Sequence, residues 1–308
     1  MPVFFMVSTS PAAGITALRA IKCGPIGCTF VQLHQTRARN YTPERTRPMH
    51  EIKYPYFKRD RILKIEMLEN FRDFPRDVLD VYNADMSDGI VCGLDPTVDK
   101  NIITFSKGIV KYNGEMYVFH DPTIIDYGAT ETDVVIKLSF LDETGDKDYR
   151  ITPVDIVMDK GDVIEQNEIE LGRFKLKTGA YLRSDYQDLY DFTTEYNTIN
   201  IVNVLYAGFK QPTLSHLILK YFAREVLEVR PENMFDINFC MLCLNSRRIE
   251  RETILSYIGY KIEREIDSLG ELSNIDVHTT MVKILEDIKR ESAGLRKRQS
   301  ARKKVILD

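Results

Sequence analysis

An Asn-Gly pair between two β-prone runs is the feature of this sequence that most constrains its fold. Asn113 and Gly114 both accept the positive φ angles of a type I′ turn, whose twist matches that of two antiparallel strands. β-branched and aromatic residues fill positions 109–112 before the pair and 116–119 after it, and a third such run occupies 102–105. We therefore predict a small antiparallel meander of three strands within residues 88–120.

Further β-prone runs follow the meander at short intervals. Residues 134–141, 149–158 and 168–177 are predicted strands, separated by polar and glycine-rich turns. Within the last run the side of the apolar residues changes at Gly172, which indicates a β-bulge. No helix-length segment separates the runs, so a parallel sheet with helical crossovers is excluded. The sequence predicts an antiparallel β sandwich or open barrel.

Helical patterns precede and follow this β region. Apolar residues at near-helical spacing predict a short helix from about residue 62, and Pro75, favoured at a first helical position, opens a predicted second one. Residues 213–293 contain four apolar patterns of helical period, which predict a compact C-terminal helical bundle. The fold class is therefore α+β, with short helices before the β region and the bundle after it.

These patterns divide the chain into five predicted segments. Residues 1–48 form a disordered extension, 49–185 the helical leader with the antiparallel β domain, and 213–293 the helical bundle. Between the last two lies an aromatic linker, 186–212, which either packs between the domains or presents a partner surface. A basic tail, 294–308, ends the sequence.

Charge and cysteine content narrow the class of protein. The formal net charge is −4, yet both ends are basic and the remaining body is therefore acidic. Five cysteines and no clear signal peptide indicate free thiols in a reducing compartment. The longest apolar run of the C-terminal half, 239–244, is far shorter than the ~20 residues of a membrane span. We expect a soluble protein, in the cytoplasm or in an assembled particle.

The first 48 residues contain arginines and almost no acids. That composition is typical of targeting or nucleic-acid-binding arms and equally of a disordered extension. No functional site is predicted there.

No group of residues predicts catalysis, a cofactor or a metal site. Cys240 and Cys243 have the C-x-x-C spacing of redox dithiols and half zinc sites, but they stand in an apolar helical pattern that favours core packing. The five histidines are scattered, and the acids at 85, 88, 95 and 99 are explained by turn formation. The sequence contains no phosphate-binding loop, so a nucleotide-driven motor is excluded. We lean towards a protein that is not an enzyme.

The basic tail is the one candidate binding site of the sequence. Within it, residues 296–304 contain six cations and no acid: Arg296, Lys297, Arg298, Arg302, Lys303 and Lys304. Such a cluster binds nucleic acid through phosphates, without reading sequence, or is simply a solvated end of the chain. No aromatic residue lies between the cations, so stacking on single strands is not implied.

Three segments, SDGIVCGL at 87–94, IITF at 102–105 and GIVKYNGEMY at 108–117, carry a resemblance to a known element. Together they resemble the β element found near the start of many phage baseplate and tail-fibre-attachment proteins. Residues 54–307 also resemble a family of Firmicutes prophage-like elements whose members are sometimes labelled "DNA and RNA helicase", although this sequence has no helicase motif. The resemblance implies a structural role among other tail or baseplate proteins and assigns no functional residue.

Three hypotheses follow. The first is a non-enzymatic structural or assembly component of a phage-tail-like, baseplate-associated particle, with other tail or baseplate proteins as partners in an oligomeric assembly. The alternative is a nucleic-acid-associated protein that binds through its basic ends and has no NTPase motif of its own. The third is a thiol or zinc enzyme centred on Cys240 and Cys243.

Overall fold

The computed structural model describes residues 21–24, 27–30, 52–266, 270 and 272–302, with side chains described for 52–266, 270 and 272–294. The chain divides into two units, 1–62 and 63–308. In the first unit, strands β1 (Ile21–Gly24) and β2 (Gly27–Phe30) form an antiparallel hairpin. The remainder of the extension predicted over 1–48 lies outside the described residues. All further elements belong to the second unit.

Helix α1 (Ile65–Tyr82) is a single helix of 18 residues, where the sequence predicted two short ones. The helix continues through Pro75, which lies in its interior. Proline has no N–H to donate to the residue four positions earlier, so the helix loses one hydrogen bond at this position. The prediction of a helix start at Pro75 was therefore wrong, although the helical character of both halves is confirmed.

Eleven strands follow α1 in the second unit: β3 (Gly89–Gly93), β4 (Pro96–Asp99), β5 (Ile102–Phe105), β6 (Gly108–Tyr112), β7 (Glu115–Phe119), β8 (Thr123–Asp126), β9 (Val134–Phe140), β10 (Thr144–Gly145), β11 (Arg150–Ile151), β12 (Val154–Lys160) and β13 (Glu168–Phe174). They form antiparallel sheets of order β3-β6-β7, β4-β5-β8 and β12-β9-β13, with a two-stranded sheet of β10 and β11. No sheet of the described chain closes into a barrel. The predicted α+β class with antiparallel sheets is confirmed.

The predicted turn at Asn113 and Gly114 is present, with φ angles of 50° and 82° joining β6 to β7. The predicted meander is wrong, because β5 pairs with β4 and β8, whereas β6 pairs with β3 and β7. The two pairs β3/β6 and β4/β5 are successive parts of one long hairpin, which bends from one sheet into another. At the bend, Gly93 opposes Gly108, and a Cβ on Gly93 would lie 2.1 Å from the carbonyl oxygen of Lys107. Two glycines thus allow the close backbone approach that the bend requires.

The predicted bulge at Gly172 is also confirmed. In β13 the pairing with β9 shifts between Glu170 and Gly172, so Leu171 is the extra residue, and Gly172 has a φ angle of 157°. The bulge leaves Leu171 in the core at 1% exposure.

The C-terminal region is helical, as predicted, with α2 (His216–Glu228), α3 (Met234–Asn245), α4 (Arg251–Ile262) and α5 (Asn274–Arg302). One hydrophobic core runs from Phe105 of β5 through the β9 sheet to the buried faces of these helices. The aromatic segment between sheets and helices packs into that core: Tyr186 stacks on Phe192 at 4.0 Å, and its hydroxyl donates to the carbonyl oxygen of Ile199. The predicted domain boundaries stay predictions.

Candidate docking surface on helix α1

When the residues of α1 are placed 100° apart around the helix axis, the sequence divides into two arcs, apart from Ile65, which lies within the polar arc. The apolar arc contains Met67, Leu68, Phe71, Phe74, Pro75, Val78, Leu79, Val81 and Tyr82. The polar arc contains Glu66, Glu69, Asn70, Arg72, Asp73, Arg76, Asp77 and Asp80. Such a pattern is typical of a surface helix that buries its apolar arc against a core.

In this protein the apolar arc of α1 is not buried. No residue of the helix reaches core burial, and Leu79, Val81 and Tyr82 are 55%, 78% and 84% exposed. Three residues of α1 are partly covered, Met67 of the apolar arc and Asn70 and Asp73 of the polar arc, and all others are exposed. The helix therefore packs neither arc against the core, and about 27 Å of helix presents apolar side chains to solvent.

The C-terminal end of α1 is held firmly, which gives the exposed arc a fixed base. Lys111 of β6 is buried, and its Nζ donates to the carbonyl oxygens of Asn83 and Met86, both at 2.6 Å. The Asn83 side chain in turn donates to the carbonyl oxygen of Leu79 at 2.7 Å. The sequence folds in this way because the turn after α1 leaves carbonyl groups without helical partners, and a buried lysine satisfies two of them.

The polar arc of α1 is predominantly acidic, with five carboxylates and two arginines. Arg72 and Asp73 form an exposed ion pair at 2.6 Å, and this hydrogen bond lowers the pKa of the Asp73 carboxyl group. Arg76 lies 3.9 Å from Glu115 of β7. The apolar surface of the helix is therefore bordered by Arg72 and Arg76 on one edge and by Asn70 and Asp77 on the other, and the other carboxylates lie on the opposite side.

A cavity of about 560 Å³ adjoins the C-terminal end of the apolar arc. Tyr82 and Met86 line one part of it, and Phe209, which is 51% exposed, lines another. Arg248 and Glu250, joined by an ion pair at 3.0 Å, also line this cavity. The apolar surface of α1 thus continues from Tyr82 into a recess of the protein body.

The sequence analysis treated α1 only as part of a helical leader before the β domain. The two arcs were visible in the sequence, and they are the signal that would have marked the helix as a candidate surface. Which arc faces the protein body depends on how the rest of the chain packs, and the sequence of the helix alone does not determine it.

The other sequence candidates lie elsewhere. Cys240 and Cys243 are both buried in α3, and burial raises the pKa of each thiol to about 12, so neither is a ready nucleophile at neutral pH. His278 is buried, with its Nε2 3.0 Å from the carbonyl oxygen of Leu189. Among the described residues, no group of three or more potential metal ligands converges.

The basic tail begins on the last turns of α5. Arg296, Lys297, Arg298 and Arg302 lie on this helix, and Lys303 and Lys304 lie outside the described residues. Their binding of nucleic acid stays a prediction. In the described part of the chain, no helix combines the length and the apolar character needed to cross a membrane.

No protein-family model matches the sequence, and no curated protein matches it. Two chains among solved structures do. One belongs to the TssK-TssF-TssG baseplate subcomplex of the type VI secretion system; it is 9% identical, with a TM-score of 0.38 over 79% of this chain and 100% of that chain. The other is from a crystal structure of TssK and is 8% identical, with a TM-score of 0.34 over 79% of this chain and 69% of that one. These values are too low to establish a shared fold, a family or a function.

Proposed function

We propose that this chain is a non-enzymatic structural subunit of a phage-tail-like, baseplate-associated particle, and that it docks on another protein of that particle through the apolar arc of α1. The observation that carries the docking is the exposure of the apolar arc of α1, in which Leu68, Leu79 and Tyr82 are 47%, 55% and 84% exposed. The assignment to a phage-tail-like particle rests on the sequence resemblance of residues 87–117.

The exposed arc is large enough to contribute substantially to binding. Burying one large aliphatic side chain completely is worth about 1.5–3 kcal/mol. Val78, Leu79 and Val81 are between 51% and 78% exposed. Burying the exposed part of each side chain against a partner should therefore contribute about 1 kcal/mol to binding. With Leu68 and Tyr82 the arc offers on the order of 5 kcal/mol before the cost of association.

The apolar arc itself defines the chemistry of the partner. Arg72 and Arg76 border one edge of the arc and Asn70 and Asp77 the other, whereas the remaining four carboxylates lie on the opposite side of the helix. A complementary surface therefore has an apolar groove that receives the arc. We expect another protein of the particle in this position.

The experiment compares Leu79→Asp with Val163→Asp in the full chain. Both side chains are exposed, at 55% and 71%, and Val163 lies in the turn between β12 and β13, far in sequence from α1. Each tagged variant replaces the wild-type chain in its own host, and tail-like particles are isolated by sedimentation and identified by electron microscopy. We expect the wild type and the Val163 variant to sediment with the particles and the Leu79 variant to stay in the supernatant.

Equal incorporation of the Leu79 variant would refute docking through α1. Wild-type protein that never sediments with a tail-like particle would refute the assignment to such an assembly. Far-UV circular dichroism of both variants checks that each is folded, which exposed positions allow.

The basic end of α5 supports a second candidate function, the binding of nucleic acid through phosphates. Four cations lie on consecutive turns of the helix end at positions 296–302, and no acid is among them. Deletion of residues 296–308 should abolish retention of duplex DNA or RNA at low salt. Unchanged retention, or none in the wild type, would exclude this function.

A further inference from the structure

Helix α3 has an unusual composition for a helix at the surface. Its sequence, MFDINFCMLCLN, contains one charged residue in twelve, Asp236, and that residue is buried. The Asp236 carboxylate accepts from the Tyr257 hydroxyl at 2.9 Å and from Lys261 Nζ at 3.1 Å. The charge of α3 is therefore neutralised on its inner side, and nothing charged remains on its outer side.

The outer side of α3 is uncharged and exposed. Phe239, Cys240 and Cys243 face the core, whereas Met234 and Met241 on the opposite side are 65% and 55% exposed. Asn238 and Asn245 lie on the same side, so this face combines large apolar side chains with uncharged polar ones. An exposed face with large apolar side chains and no charge has the character of a surface that is covered in the assembled state.

The exposed residues of this face follow the spacing of a helix-pairing seam. Met234, Asn238, Met241 and Asn245 are separated by four, three and four residues, as in alternating core positions of a coiled coil. Phe235 and Leu242, both about 40% exposed, flank the seam on one side. Methionine adapts its shape to an opposing surface, and asparagine at such positions favours a defined helix pair.

The charges at the two ends of α3 indicate which surface covers the seam. Glu232 lies just before the helix and Arg247 just after it, and both are exposed. Within the described part of the chain neither forms an ion pair. An identical helix in antiparallel orientation places Glu232 beside Arg247 of the second copy, and twofold symmetry makes this pair twice.

The same register aligns the seam. The midpoint between Glu232 and Arg247 coincides with the midpoints of the pairs Met234/Asn245 and Asn238/Met241. One twofold axis therefore opposes Met241 to Asn238 of the second copy while it joins the end charges. An uncharged seam meets its own copy without electrostatic repulsion.

We propose that α3 is a homotypic interface, at which the seam of one chain packs antiparallel on the seam of a second copy and the ends are joined by Glu232–Arg247 ion pairs. The seam spans 12 residues, about 18 Å of helix, so the pairing is weaker than a standard protein interface and is reinforced when chains are gathered in an assembly. This interface is independent of the docking proposed for α1.

Sedimentation velocity of the full chain over a range of concentrations tests the proposal. We expect a reversible monomer–dimer equilibrium, and Met241→Glu should raise the dimer dissociation constant by about tenfold or more, because it places a carboxylate in the seam beside the axis. Leu79→Asp on α1 is the matched control and should leave the equilibrium unchanged. A monomeric wild type at every concentration, or dimerisation that Met241→Glu does not weaken, would overturn the proposal.

A charge exchange tests the antiparallel register separately. Glu232→Arg alone and Arg247→Glu alone should each weaken the dimer, whereas the double exchange should restore wild-type affinity, since each new pair again joins opposite charges. A double exchange no stronger than the single variants would exclude this register. These outcomes do not depend on whether the α1 proposal is correct, because they are measured with the purified chain alone.

Discussion

Lys111→Met should destabilise the protein and loosen the base of α1. Lys111 is 5% exposed, and its ammonium group donates two hydrogen bonds of 2.6 Å to the carbonyl oxygens of Asn83 and Met86. No described carboxylate forms an ion pair with it. The substitution preserves most of the apolar stem and removes only the group that closes the turn after α1.

The magnitude follows from the two lost bonds. A hydrogen bond from a charged donor contributes about 1.5–3 kcal/mol, so two such bonds contribute about 3–6 kcal/mol. The neutral methionine side chain avoids the free-energy cost of burying a charge, which offsets part of this loss. We expect a net loss of about 3 kcal/mol in the free energy of unfolding, a large fraction of the stability of an ordinary domain.

Urea denaturation followed by circular dichroism measures this loss as a shift of the transition midpoint at unchanged slope. Lys107→Met is the control, because Lys107 is exposed and its replacement should change stability by less than about 0.5 kcal/mol. Limited proteolysis should also cut the Lys111 variant faster in residues 83–88. A Lys111 variant as stable as the Lys107 variant would refute the view that this lysine fastens the helix.

Three further predictions concern the bend, a buried histidine and the thiols. In the same urea assay, Gly93→Ala should lower the free energy of unfolding by about 3 kcal/mol or more, because the new methyl group would lie 2.1 Å from a backbone oxygen. Gly161 also has a positive φ angle but has open space around it, so Gly161→Ala should cost only about 1 kcal/mol. Burial holds the pKa of His278 below its ordinary 6.5, so the unfolded chain binds the proton more readily than the folded chain. The free energy of unfolding should therefore fall as the pH drops below about 6.5, and this group contributes at most about 1.4 kcal/mol per pH unit. In unfolding measured from pH 7 to 5, His278→Gln should reduce that slope. A thiol-reactive dye should label the exposed Cys92 of the native chain and not the buried Cys240, so that Cys92→Ser reduces the fast labelling amplitude and Cys240→Ser leaves it unchanged.

Local turn chemistry was predictable from the sequence, because it is decided by the residues at the turn. Asn113 and Gly114 accept positive φ angles wherever they occur, and Gly172 marks a bulge because the apolar alternation changes side there. The type and extent of most strands and of the C-terminal helices follow from the same local patterns. These features need no information about distant contacts.

The pairing of strands was not predictable in the same way. The break between β5 and β6 depends on the contact between Gly93 and Gly108, which are fifteen positions apart and which look like ordinary turn residues in the sequence. A meander of consecutive strands is the simplest arrangement of three β-prone runs, and only the bend shows that the middle runs belong to different sheets. Long-range backbone contact decided the topology.

The candidate surfaces lie beyond sequence reasoning for a related reason. An amphipathic pattern states that a helix has two sides and leaves open which side the protein body covers. Beside β3, the Ile90 N–H donates to the carbonyl oxygen of Leu205 at 2.8 Å, and the Ala207 N–H donates to the carbonyl oxygen of Ile90 at 2.9 Å. This segment occupies one side of β3, and most apolar side chains of α1 stay exposed.

The two exposed helices differ in the charges beside their apolar side chains. Apolar area alone would let α1 and α3 bind either surface, since burial of methionine, leucine or valine is not directional. The helix α1 carries carboxylates and arginines along its length, whereas the outer side of α3 has no charge except the opposite charges of Glu232 and Arg247 beyond its two ends, which come level with each other when two copies run antiparallel. We therefore expect the charges, and not the apolar area, to decide which partner each helix binds.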